Sequence, residues 1–494
     1  MKRYILGRIL RAVLSICVVM SITIILIYTC IPRERILTKD PGLSKFTGDA
    51  RTNYQYRIWR QAGYLDYLQP SDFCAVSEDP KTCAQGGADY EEIVADYVDR
   101  GYTYIEYKES DLGFVTRDYS VPELLINFFA NLINIDNPWY VQDAQNPDIE
   151  RNYYITTGPN GLPAVACSGC QYKYQLYFDS NFPFIHQNAV KLEFGISYPT
   201  FDGLDTMDVI NGGQGQLIMT EQTFPTGLTQ SSALNQYTCQ YKATSTIDHL
   251  DQNKFTDNYA NCKSNYDAPS MVSTSYLFGI IALVIAYLIS IPAGISMARH
   301  KDKWQDKIGI AYVNFMIAVP SLAFIYFVKW IGRFFGAPEK FPQLGFGDIR
   351  SYILPIIILA LLSTSSVMIW MRRYMIDQSN SDYVKFARAK GLSEKEIFNK
   401  HILKNAIIPI VNGIPSSIIL CISGSVITES VFSIPGMGKM LPDSITALNN
   451  KMVITLTFIF ASLAIFAFLC GDLLMTVVDP RIQLTARKGG KKKK

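Results

Sequence analysis

Histidine is scarce in this chain, with four in 494 residues. His186 and His249, the two in the long polar segment, have no HExxH run and no Ser/His/Asp grouping around them, which excludes a zinc-peptidase helix and a hydrolase triad there. Nucleotide-binding loops are missing as well. Gly436-Met-Gly-Lys439 lacks the upstream glycine spacing and the Ser/Thr of a phosphate loop, and Asn211-Gly-Gly-Gln-Gly-Gln216 lacks the strand and the Lys and reads as a turn. The long apolar runs hold few ionisable side chains: Glu429 lies close to one end of a run and Asp472 close to an end of another. A proton relay through lipid needs several such groups, each costly and therefore informative where present, so a proton- or sodium-coupled carrier is disfavoured.

Apolar sequence is abundant: 49% of residues are hydrophobic, and they are concentrated in blocks, which rules out a single soluble enzyme. Twenty consecutive residues, Ala12–Ile31, carry no formal charge. This run is longer than a signal-peptide core and no small-x-small site precedes Pro32, so it is expected to be retained as a helix. Further spans of bilayer length are placed at Thr274–Ala298, Ile308–Trp330, Tyr352–Met371 (ending at Arg372-Arg373), Ala406–Phe432 and Met452–Val478. Basic residues orient them: four in the N-terminal segment, four in Arg299–Lys307, eight in Arg372–Lys404 and seven after Pro480. By the positive-inside rule these are cytoplasmic, as are both termini. Helix-bending and small residues punctuate the spans, namely Pro292, Gly294, Pro320, Gly413, Pro415, Ser423 and Gly424; they permit close packing or curvature around a cavity in membrane proteins of any function.

Between the first two spans lies a segment of opposite character. Residues 33–270 hold 17 Lys and Arg against 31 Asp and Glu, a formal charge of −14, and 21 of the chain's 30 tyrosines. They read as a folded α+β domain outside the membrane. Six of the ten cysteines fall here, and an even number in an oxidising compartment points to disulfides. Nearness in sequence favours Cys74 with Cys83, Cys167 with Cys170, and Cys239 with Cys262. The Cys167-Ser-Gly-Cys170 spacing also fits a redox or zinc site, but no second CxxC or His pair stands near it. Cys17, Cys30, Cys421 and Cys470 lie in or beside spans and read as small apolar residues.

The most informative segment is cytoplasmic, residues 382–409. Tyr383–Lys390 is built of helix formers, and Gly391 is placed as a left-handed terminator. Ser393 with Glu396 three residues on is a capping-box pattern that starts a second helix, running through Lys404. Ala387 and Ala389 make one surface small, Lys385, Arg388, Lys390 and Lys395 make it positive, and Ile397, Phe398 and Ile402 form an apolar stripe. That surface suits a groove on another protein; the alternative is a solvated basic loop. A DNA-reading helix pair is excluded by tethering at both ends to spans.

This segment resembles the EAA loop of ABC-importer permeases in the dipeptide, oligopeptide and nickel branch. The match lies on Ala387, Arg388, Ala389, Lys390, Gly391, His401, Ile402, Leu403, Asn405, Ala406 and Pro409. Lys385 stands where the general motif has Glu, and Lys404 replaces a frequent Pro, which moves the expected helix break to Pro409. Thr428-Glu-Ser-Val-Phe-Ser-Ile-Pro-Gly-Met-Gly438, Asp479-Pro-Arg-Ile482 and Ile291-Pro-Ala-Gly294 resemble other signatures of the branch, and Gln171–Phe178 and Phe182–Asn188 resemble runs in the insert of its Gram-positive members. With its large insert, the chain is most similar to the first permease subunit of Gram-positive oligopeptide importers.

The resemblance implies an α-helical membrane protein of the type I ABC importer permease fold. It would have six transmembrane helices and a large α+β extracellular domain between helices 1 and 2: residues 1–32 as first segment, 33–270 as insert, 271–483 as permease core and 484–494 as basic tail. It implies a plasma-membrane subunit that is not itself an enzyme and binds no cofactor, with ATP and Mg held by partners. Those partners are a homologous second permease, two cytoplasmic ATPases, an extracellular peptide-binding lipoprotein, an oligopeptide substrate and lipid, with no nucleic acid. Lys385, Phe386, Ala387, Arg388, Ala389, Lys390, Gly391, Ser393, Glu396, Ile397, His401, Asn405 and Pro409 would couple to the ATPases, while Pro320, Asn412, Gly413, Pro415, Ser423 and Gly424 would line the path. The rival readings are a peptide-sensing receptor held by its spans, and an importer of nickel chelates or another small solute.

Overall fold

The computed structural model describes residues 2–87, 89–179 and 184–478, and the side chains of all these except 2–5, 423–424 and 475–478. The chain divides into two compact units, one of residues 1–20, 269–442 and 456–494, the other of residues 21–268 and 443–455. Helix α1 (Lys2–Cys30) opens the chain.

The second unit is built from small sheets and short helices. Helix α2 (Gly48–Ala62) packs on the antiparallel sheet of β1 (Leu65–Leu68), β2 (Thr103–Glu106) and β3 (Gly113–Asp118), in the order β1-β3-β2. Ile58, Trp59, Leu65, Tyr67, Phe114 and Tyr198 form the core between them. Two short strands, β4 (Ile133–Ile135) and β9 (Val190–Leu192), pair separately. A four-stranded antiparallel sheet runs β5 (Asn152–Thr157), β6 (Pro163–Ser168), β7 (Tyr174–Phe178) and β8 (Ile185–Gln187); one face packs Ala164 and Tyr177 against Tyr237. Helix α3 (Thr206–Asn211) is N-capped by Asp205. The structure joins Cys74–Cys83, Cys167–Cys170 and Cys239–Cys262. Tyr259 Oη donates to the carbonyls of Cys167 and Cys170 at 3.3 and 2.9 Å, seating the buried CxxC pair.

The first unit is helical. Its central pair is α4 (Met271–Arg299) and α7 (Arg350–Ser379), with α5 (Trp304–Ala318) and α6 (Ser321–Phe334) between them in sequence. Small residues bring helices together: a Cβ on Gly294 would lie 2.8 Å from the Met368 carbonyl, and one on Gly279 would lie 2.8 Å from Cys421 Sγ. Ser290 Oγ donates to the Thr364 carbonyl at 3.0 Å. After α7 come α8 (Asp382–Ala389), which opens the loop 382–409, then α9 (Ile408–Gly424), α10 (Val426–Phe432), α11 (Met437–Thr446) and α12 (Asn450–Val478).

Among the described residues five helices are long and apolar enough to cross a membrane, or six if a bent pair counts as one. That pair corrects the expected third span: α5 and α6 meet at 108° rather than forming one helix over Ile308–Trp330. Pro320 is the cause, because it has no N–H to continue α5 and sits in an extended conformation (φ −57°, ψ 128°) as the N-cap of α6. The fourth helix also does not stop at Arg372-Arg373 but runs on to Ser379. The Asp479–Ile482 signature, part of the Phe182–Asn188 run and the tail 484–494 lie outside the described residues.

Candidate functional site: a packed helix–turn–helix loop and a buried carboxylate

Local sequence explains the loop's shape. α8 ends where Gly391 takes φ +78°, its N–H bonded to the Arg388 carbonyl at 2.9 Å and the Leu392 N–H to the Ala387 carbonyl at 3.3 Å. A Cβ on Gly391 would meet nothing within 4 Å, so glycine is required by the backbone and not by space. Ser393 then N-caps the next turn, its Oγ accepting from the Glu396 N–H at 3.4 Å. The helix that follows widens into a π-helix over Ile397–Leu403, and a turn at Ile407 separates it from α9, whose first turn contains Pro409. The break thus falls at Ile407, two residues before the expected Pro409, and Pro409 itself sits in the first turn of α9.

The two faces of this loop differ from the expected assignment. Ala387, Ile397 and Ile402 do not present a docking surface: they are buried with Met371, Met375, Val384, Ala406 and Ile410, and Phe398 packs against the same cluster. An apolar stripe at helical spacing marks a buried face without saying whose core it joins, and here it joins the chain's own. The outward face carries Phe386, 69% exposed, with Ala389, Leu392, Lys385, Arg388, Lys390 and Lys395. Arg388 pairs with Glu394 across the Gly391 turn at 2.8 Å. His401 acts through its backbone: its carbonyl accepts from Asn405 Nδ2 at 2.9 Å and from Tyr383 Oη at 3.4 Å. Arg299 stacks over the Phe398 ring, 5.7 Å from its centroid.

A buried ion pair secures the base of this loop. Arg372 of α7 meets Asp306 of α5 in bidentate fashion, Nε to Oδ1 at 2.6 Å and Nη2 to Oδ2 at 2.7 Å. The Asp302 N–H also donates to Asp306 Oδ2 at 2.9 Å. With both charges matched, α7 continues through its arginines to carry the loop.

The candidate path residues fall on separate features. Asn412 is buried on α9, and its Oδ1 has no hydrogen-bond partner among the described residues. On the same helix Ser416 Oγ donates to the Ala467 carbonyl of α12 at 2.9 Å, whereas a Cβ on Gly413 would meet nothing within 4 Å. Gly413 therefore marks an open side of α9 and Ser416 its packed side. Pro415 lies inside that helix and Pro320 at the α5–α6 bend. Ser423 and Gly424 end α9, and their surroundings lie outside what is described.

Sequence reasoning missed the role of Glu429. Its side chain is fully buried on α10. One carboxylate oxygen accepts from Ser275 Oγ at 2.6 Å and Ser425 Oγ at 2.5 Å; the other accepts from the Lys439 N–H at 2.8 Å. Ser275 Oγ in turn accepts from the Met437 N–H at 2.9 Å. The carboxylate thus satisfies the open N–H groups at the start of α11 and fixes that helix to α10 and α4. Gly436 and Gly438 make room for it, since a Cβ on either would lie 2.4 or 2.8 Å from Glu429 Oε2. The signal was present in the sequence: a carboxylate within an apolar run, followed by two glycines.

A family model described as "Binding-protein-dependent transport system inner membrane component" matches residues 290–484. The oligopeptide transport system permease protein AmiC of Streptococcus pneumoniae is 44% identical over 500 residues, covering 99% of this chain and 100% of that protein. The dipeptide transport system permease protein DppB of Lactococcus lactis is 34% identical over 217 residues, 42% of this chain and 69% of that one. Among solved structures, the MetNI methionine ABC transporter in an inward-facing conformation aligns with TM-score 0.34 at 15% identity, over 42% of this chain and 94% of that one.

Proposed function

The chain belongs to the oligopeptide-transport permeases of binding-protein-dependent ABC importers, and from that premise we propose how its parts serve import. It is the multi-pass membrane subunit of an oligopeptide transporter, with the permease fold of that family. The loop 382–409 docks on a cytoplasmic ATPase through Phe386, Ala389, Leu392 and the surrounding lysines. Its buried face then transfers the ATPase motion to α4 and α7, the helices it packs against. A homologous second permease completes the pathway, two ATPases hydrolyse ATP, and an external peptide-binding lipoprotein delivers cargo. Both termini lie in the cytoplasm and residues 33–270 outside the cell, in keeping with the basic loops and the acidic, disulfide-bonded insert.

One observation carries the coupling role: an exposed apolar and basic tip mounted on a base that is buried in the chain's own core. Phe386 and Leu392 are exposed side by side with four basic side chains, a mixed apolar and positive surface that suits an acidic groove on a partner. Pull-down from native membrane in mild detergent, with mass spectrometry and an assay of peptide-stimulated ATP hydrolysis, tests the reading. Recovery of a second permease and two ATPases with peptide-dependent turnover is expected. Recovery of the chain alone, with peptide bound to the insert, would make it a receptor.

A further inference from the structure

The segment 443–455, which joins α11 to α12, belongs to the same compact unit as the insert, and three of its polar side chains bond to residues of the insert. Asn449 is fully buried. Its Nδ2 donates to Ser197 Oγ at 2.8 Å and to Thr200 Oγ1 at 2.8 Å, while its Oδ1 accepts from the Met452 N–H at 3.1 Å. Asn450 Nδ2 donates to Tyr64 Oη at 2.8 Å. Thr455 Oγ1, one turn further along α12, donates to Thr206 Oγ1 at 3.0 Å, and both threonines are fully buried. Lys451 lies along Gly63 and Gly195, where a Cβ would come within 3.0 and 3.4 Å of its side chain.

The same network reaches α1. Tyr28 packs its ring on Tyr64 with centroids 4.6 Å apart, and its Oη donates to the Ala62 carbonyl at 2.6 Å. Tyr64 is therefore shared: its ring holds α1 and its hydroxyl holds α12. Toward the other ends of these two helices, Arg8 of α1 forms an ion pair with Asp472 of α12. Helices α1 and α12 are tied at two places, by an ion pair and, some twenty residues of each helix away, by the insert.

We propose that the insert is a clamp that keeps α1, α12 and the loop before α12 fixed to one another throughout the transport cycle, with Asn449, Asn450 and Thr455 as its positioning residues. Separating them would strand buried donors and acceptors on both sides, which a rocking motion made at every turnover would have to repeat. The strain of transport is taken up elsewhere, among helices that lack this network. The inference rests on the chain's role as an oligopeptide permease.

The test uses the complete transporter in its membrane and uptake of a tritiated oligopeptide. In Thr206→Cys/Thr455→Cys, oxidation is expected to form the disulfide, detected by mass spectrometry of a non-reduced digest, without loss of uptake relative to the single variants. Asn449→Ala is expected to lower the maximal uptake rate by roughly tenfold, from the buried partners it leaves unpaired, with the half-saturating peptide concentration unchanged. Adding the oxidised cysteine pair to Asn449→Ala should restore the rate. Three results would each overturn the clamp: no disulfide, uptake blocked by the disulfide, or Asn449→Ala without effect. Absence of uptake by the unaltered transporter would instead fault the peptide-import reading, and disulfide formation with ATP turnover would then judge the clamp alone.

Discussion

Glu429→Gln is the sharpest probe of the membrane unit because it changes one atom of a side chain whose neighbours are all identified. The amide keeps a carbonyl oxygen for Ser275 and Ser425, but it turns an NH2 toward the Lys439 N–H. Donor then faces donor in a site where neither reaches water, and Gly436 and Gly438 are packed too closely against it for the group to swing aside. Each stranded buried donor costs about 1–3 kcal/mol, so two cost about 3 kcal/mol near the low end of that range. For a helical unit of this size, that corresponds to a fall in Tm of roughly 6–12 °C. Thermal unfolding of the detergent-solubilised chain measures it, and peptide uptake in cells should fall in parallel as the start of α11 loosens. Gly436→Ala approaches the same oxygen from the other side, with a Cβ 2.4 Å from it, and is expected to destabilise comparably. A Gln variant with unaltered Tm and uptake would refute the carboxylate's role in holding α11.

Phe386→Glu should abolish peptide-stimulated ATP hydrolysis while leaving the chain inserted, since Phe386 is 69% exposed and lies outside the loop's buried cluster; normal turnover would remove it from the docking face. Ala387→Glu, by contrast, places a carboxylate in the buried cluster and should lower the amount of folded chain. Gly391→Pro should also abolish coupled uptake, because proline cannot adopt φ +78°, and uptake by this variant at the normal rate would show that the turn is dispensable. In the insert, Asp40 accepts from Tyr54 Oη and Tyr198 Oη, each at 2.6 Å. Burial pushes its carboxyl up, but the hydrogen bonds from Tyr198, Tyr54 and the Gly42 N–H outweigh this and hold it below its ordinary value. A depressed carboxyl stabilises the fold above its unfolded pKa, and that stabilisation is lost as pH falls through the folded one. Asp40→Asn should therefore cost about 2 kcal/mol at neutral pH, measured by hydrogen exchange of the insert, and the deficit should vanish in acid below the carboxylate range; a deficit independent of pH would contradict this. Replacing Cys239 and Cys262, 23 residues apart, should cost about 3 kcal/mol, and non-reducing mass spectrometry that found all six insert cysteines as thiols would overturn the pairing.

The readable parts of the fold are those governed by near neighbours. Gly391 and Ser393 shape their turn through bonds to residues a few positions away, and the cysteine pairs close short loops. The apolar runs locate the membrane helices because burying their backbone in lipid leaves the helix as the stable form. The third span departs from that reading because a proline at its centre could bend a helix or end it, and the surrounding packing selects the 108° break.

What the sequence by itself determined is thus the class of protein, the order of its helices and the position of the loop 382–409, all written in periodicity, charge and local caps. The tertiary structure alone decided which face of the loop is buried, that Glu429 anchors α11, and that Asn449 and Thr455 are held by the insert. The physical reason is distance along the chain: Ser275 and Glu429 are 154 residues apart, and Asn449 and Ser197 are 252. Helical spacing shows that a side chain will be buried, but a polar group's partner is set by whichever distant segment packs against it.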